Sequence, residues 1–135
     1  MERKIKLIGF KYLKINSEKN EDFNGDLKLT PGINIRDVKK NEGKEEILTI
    51  IFDFSVDFNG LGKIDLLGKM YLAVDSKTLK EAVDGWKAQK MDNEINIIIL
   101  NIIMQKASIK ALELEEEMGL PLHIQLPRLQ PGKKE

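Results

Sequence analysis

The chain has 135 residues and a mass of 15.4 kDa, the size of one domain with a core of its own. With 41% hydrophobic and 33% charged residues it fits neither a wholly disordered chain nor a membrane protein. It has no cysteine and one histidine, which excludes disulfides and cysteine nucleophiles and leaves a zinc site without ligands, so no metal or cofactor is expected.

Four segments in the first half alternate with period two. Residues 4–15 place Ile8, Phe10 and Tyr12 on one side and Ile5, Leu7, Leu13 and Ile15 on the other, which predicts a strand covered on both faces. Residues 16–25 are polar and read as a loop. Residues 26–38 carry Leu27, Leu29, Ile33 and Ile35 around Pro31-Gly32, a turn or an edge kink. Residues 47–58 are the clearest strand, because Leu48, Ile50, Phe52, Phe54, Val56 and Phe58 occupy six successive even positions. Asn59-Gly60-Leu61-Gly62 then supplies a hairpin loop. Residues 63–74 return as a fourth strand, with Gly68 on the apolar face, where a missing side chain permits close approach or a bulge.

The period then lengthens. Asp75 or Ser76 can cap a short helix with Leu79, Ala82, Val83 and Trp86 in one stripe. Asp92 or Asn93 can cap a long helix that ends at Gly119, a C′ glycine with Pro121 beyond it. The isoleucine-rich stretch 95–104 is also compatible with a strand, but the unbroken run of helix formers to Met118 favours a helix. That apolar stretch is too short and too polar to span a bilayer. Residues 120–131, with three prolines, read as an extended arm, and residues 132–135 as a disordered tail after a single domain, 1–131.

Residues 95–104 are apolar over a wider arc than one sheet can cover. A second surface is therefore expected, since each exposed isoleucine forfeits about 1.5–3 kcal/mol of burial. Ile95, Ile98, Ile99, Ile102 and Ile103 are accordingly assigned to the core or to a subunit interface, with the arm or the short helix as the alternative cover. The near-zero net charge, 22 basic against 22 acidic residues, tolerates self-association.

Several stretches resemble the SecB family of protein-export chaperones. Ile51-Phe-Asp-Phe-Ser-Val-Asp-Phe-Asn-Gly, followed by Gly62-Lys-Ile-Asp-Leu-Leu-Gly68, is similar to the family's third and fourth strands. Met118-Gly-Leu-Pro-Leu-His-Ile-Gln-Leu-Pro-Arg-Leu is similar to the segment after its main helix. Asn93-Glu-Ile-Asn stands where the family's helix usually opens with a cysteine and prolines, and the charge is neutral where export members are acidic. The resemblance implies an α+β fold, a four-stranded antiparallel sheet with a long and a short helix packed on one face. It also implies an ATP-independent holdase for unfolded or non-native polypeptides, in export or beside a toxin–antitoxin pair, assembled as a homodimer or homotetramer.

Candidate chemistry is sparse. Asp53 and Asp57 share a strand face but stand roughly 13–14 Å apart, too far for a glycosidase pair, so a solvated face is expected. His123 has no serine elbow near it and reads as structural or solvated. Glu113 and Glu115 to Glu117 read as a solvated or partner-paired acidic helix end. No enzyme is expected. Residues 1–46 carry 11 basic and 9 acidic side chains and residues 91–119 carry 2 and 6, so no concentrated basic field points to nucleic acid. The first residues lack a signal-peptide pattern, which makes the cytoplasm the expected compartment. The client-binding candidates are Phe10, Tyr12, Trp86, Leu120, Leu122 and Ile124, chosen because apolar and aromatic side chains make few directional demands. The alternative function is an adaptor that recognises one folded partner.

Overall fold

The computed structural model describes residues 4–43 and 46–125. In chain order it has β1 (Ile5–Lys19), β2 (Thr30–Lys40), β3 (Ile47–Asp57), β4 (Gly62–Val74), α1 (Ser76–Lys87) and α2 (Asn93–Met118). The strands form one antiparallel sheet in the order β1-β4-β3-β2. The α+β architecture is the one expected. The tail at 132–135 and the last part of the arm lie outside the described residues.

One face of the sheet makes the core. Leu48, Ile50, Phe52, Phe54 and Val56 of β3 pair across to Leu72, Met70, Gly68, Leu66 and Ile64 of β4, and all are buried. Gly68 sits at the centre of this layer. A Cβ there would collide with the Phe52 ring, so the glycine makes room for the largest side chain of the strand opposite.

The edge strands are irregular. The register of β1 against β4 shifts between Leu7 and Gly9 and again between Tyr12 and Lys14. Each shift inserts one residue, Ile8 and then Leu13, and inverts the alternation. Ile5, Leu7, Phe10 and Tyr12 therefore all pack on the core, while Ile8 and Leu13 are about half exposed at 49% and 51%. This corrects the expectation of two covered faces: the apolar residues fall on both parities because the strand changes phase. β2 does the same between Ile35 and Asp37, which brings Ile33, Ile35 and Val38 to the core side. β1 also runs to Lys19, into the stretch read as a loop, and Pro31-Gly32 makes neither turn nor register break: both residues pair in step near the start of edge strand β2.

Both helices bury residues in the same core cluster as the sheet. α1 starts at Asp75, whose carboxylate accepts from the Thr78 N–H at 2.7 Å. That hydrogen bond holds the Asp75 carboxyl below the usual carboxylate range. α2 is capped by Asp92, which accepts from the Ile95 N–H at 3.1 Å, and ends at Gly119 with φ of 71°. Its buried stripe is Ile95, Ile99, Ile103, Ala107, Ala111 and Leu114, and the alanines let the helix lie close to the sheet. By length and composition α2 could cross a membrane, with a mean hydropathy of 1.4 over its most apolar window, but its stripe is spent on the sheet.

Candidate functional site

The structure divides the isoleucines of α2. Ile95, Ile99 and Ile103 have no exposed surface within the single chain, so they are core residues and cannot form a subunit surface. Ile98 and Ile102 are half-buried. The apolar surface α2 leaves open is instead Ile97 at 49%, Met104 at 47% and Ile109 at 62%. The arc is wider than the sheet can cover, as expected, but of the residues left over Ile97 and Ile109 stand two positions from buried members of the stripe and face away from the sheet, with Met104 at its flank. Ile109 was missed because the reading stopped at the end of the isoleucine run.

The six client-binding candidates fall in three places. Phe10 and Tyr12 lie on β1 beneath α2, with ring centroids 5.3 Å apart in an edge-on pair, and Phe10 also meets Phe52 at 5.3 Å. The Tyr12 hydroxyl reaches the Lys106 carbonyl at 3.4 Å, and burial followed by the charge of Glu113 pushes its pKa up to about 12. Trp86 lies on α1 beside β2, at the opposite edge of the sheet. Three strand spacings, about 14 Å, separate the two edges. Leu120 is buried at 5%, its side chain placed against Gly62 at the start of β4, while Leu122 and Ile124 are each 38% exposed. Residues 120–125 form no strand.

The arm is held by a pair that the sequence reading did not join. The Glu115 side chain is fully buried on α2 and the His123 side chain is 4% exposed. Glu115 accepts from the His123 backbone N–H at 3.0 Å, and its second oxygen lies 2.6 Å from His123 Nδ1. The imidazole packs edge-on against Phe54 with centroids 6.0 Å apart. His123 is thus structural, as expected. Glu115 departs from the expected solvated acidic end: it faces inward one turn before the Gly119 cap, where the reversing chain delivers the donors of His123. The signal was the pairing of one carboxylate on the buried side of the helix with the only imidazole eight residues on.

Two clefts remain. On the outer face of the sheet a trough of about 660 Å³ is lined by Lys14, Asn34, Arg36, Asp53, Lys63 and Asp65 among others. Arg36 pairs with Asp53, and Lys63 with Asp65 at 3.4 Å, so most of its charge is already matched. Asp53 and its neighbours form the solvated face expected of them. The second cleft, about 750 Å³, runs between α1 and β2 and is lined by Val83, Gly85, Trp86 and Met91, with Lys39, Lys40 and Lys87 at its rim. Of the six candidates it contains Trp86 alone. Among the described residues no group of three or more histidine or acidic side chains could hold a metal ion.

No known family profile matches the sequence, and no curated protein matches it. Solved structures do match the fold. The SecB-like chaperone Rv1957 of Mycobacterium tuberculosis, solved in complex with a ChAD peptide from the antitoxin HigA1 (Rv1956), superposes with a TM-score of 0.62 at 6% sequence identity. The match covers 94% of this chain and 92% of that one. The chain therefore has a SecB-like fold over nearly its whole length.

Proposed function

We propose that the protein is an ATP-independent holdase that binds extended, non-native polypeptide in the cytoplasm. The observation that carries this reading is the open apolar cleft between α1 and β2, lined by Val83, Trp86 and Met91. An open apolar cleft with a polar rim is characteristic of a surface that takes a partner. The fold is compatible with such work, because the SecB-like chaperone it matches was solved holding a peptide. The exposed Ile97, Met104 and Ile109 of α2 assemble the protein, as a dimer or a dimer of dimers, and the reading contains no catalytic step. Stoichiometric suppression of aggregation of a denatured model protein tests the holdase. Normal aggregation in the presence of folded, oligomeric protein would refute it. Ile109→Asp, on an exposed site that cannot disturb the core, is expected to shift sedimentation toward single chains.

A second reading, an adaptor with one dedicated partner, draws on the same neighbour, whose bound peptide comes from one defined antitoxin. Capture from the source cell separates the two, because a holdase brings down many proteins and an adaptor one.

A further inference from the structure

We infer that the cleft between α1 and β2 is a docking site for an acidic peptide segment carrying an apolar or aromatic anchor. The inference rests on the polypeptide-binding reading and specifies the chemistry of one site within it. The walls are apolar: Val83 and Trp86 face the cleft from α1, and Met91 closes it from the loop beyond the helix. That loop is placed by Gly85. The Lys90 N–H donates to the Gly85 carbonyl at 2.7 Å, and a Cβ on Gly85 would stand 2.9 Å from the Lys90 oxygen and 3.2 Å from the Met91 Cα. Only glycine lets the chain fold back this closely and bring Met91 beside Trp86.

The rim carries the specificity. Lys39, Lys40 and Lys87 line the cleft with one acidic residue, Asp37, and all three lysines are exposed. Strand alternation turns Lys40 with Val38 to the α1 side and Lys39 with Asp37 to the other face of the β2 edge. None of them has an acidic partner among the described residues, in contrast to the outer-face trough. An uncompensated basic rim around an apolar floor attracts acidic side chains flanking an apolar one, and repels a basic segment. β2 is an edge strand, so an extended peptide can also pair with its open backbone row. The chain's own end does not complement the site, since residues 126–135 carry Arg128, Lys133 and Lys134 against Glu135.

Trp86 is the only tryptophan, so its emission reports the cleft directly. Two short tryptophan-free peptides with the same leucine and phenylalanine anchors, one flanked by glutamates and one by lysines, are titrated into the full chain at low salt. The acidic peptide is expected to shift Trp86 emission and to bind about 10-fold or more tightly than the basic one, the gap closing as salt rises. In the triple variant Lys39→Glu, Lys40→Glu, Lys87→Glu, checked for its native circular dichroism spectrum, the preference is expected to reverse. Equal binding of the two peptides, binding that leaves Trp86 unchanged, or an acidic preference that survives the triple variant overturns the inference. Trp86 emission that changes with protein concentration alone, without peptide, also overturns it, in favour of a second copy as occupant. Aggregation suppression measured in parallel keeps the outcomes apart: suppression without acidic preference leaves the holdase standing and removes this site, and the converse does the opposite.

Discussion

Removing His123 tests how the arm is fixed to the helix. Histidine 123→Ala (H123A) leaves the carboxylate of Glu115, which has no exposed surface, with one donor instead of two. A buried charge that loses its partner costs about 3–5 kcal/mol, of which a charge-assisted hydrogen bond accounts for roughly 1.5–3. The remaining backbone donor at 3.0 Å places the expected loss at the lower end, about 3 kcal/mol. With an unfolding entropy of about 2.1 cal/mol/K per residue over 135 residues, this lowers the Tm by about 10 °C. Urea denaturation and calorimetry measure it. The control is the double variant Glu115→Leu with His123→Phe, which removes both side-chain polar groups and is expected to recover part of the loss, the residue-123 N–H being left without its acceptor. If H123A changes stability by less than about 0.5 kcal/mol, as a surface substitution would, the pair does not hold the arm and the reasoning fails.

Three further outcomes follow from the fold. Gly68→Ala pushes a methyl group into the Phe52 ring and is expected to cost about 1–3 kcal/mol in denaturant unfolding, with Phe52→Leu in the same chain restoring part of it. Asp75→Ala removes the α1 cap and is expected to lower stability in denaturant unfolding. Because the Asp75 pKa is lowered in the folded chain, its contribution is present above the unfolded value near 4 and disappears as pH falls through the folded value, so D75A should lose stability at neutral pH and little at strongly acid pH. The raised pKa of Tyr12 works in the other direction: the folded state keeps the proton longer, and stability falls as pH rises from about 10 through about 12. Tyr12→Phe should flatten that alkaline decline, and a difference ultraviolet titration against the parent reads the late-ionising phenol.

The central strands and both helices were legible because their signals were local and repeated. Six even positions in residues 47–58 leave no second way to bury β3, and Asp92 and Gly119 bracket α2 on either side of a continuous run of helix formers. The edge strands were legible in place but not in phase. Ile5 and Leu7 have one parity and Phe10 and Tyr12 the other, and this switch is the mark of an inserted residue, yet alternation alone reads it as two covered faces. The division of the isoleucines depended on where α2 crosses the sheet, which no single helix encodes. The site was least visible. Phe10 and Trp86 share chemistry but belong to opposite edges, and two of the lysines of the α1–β2 cleft, Lys39 and Lys40, lie 47 and 46 residues before the tryptophan they meet.

The three register shifts all fall on the two outer strands, and none on the pair between them. The break at Arg36 divides the open backbone row of β2, so no unbroken ladder can run the length of Thr30–Lys40. Both outer rows of unpaired backbone groups are thereby interrupted, which keeps identical chains from stacking edge to edge into an endless sheet.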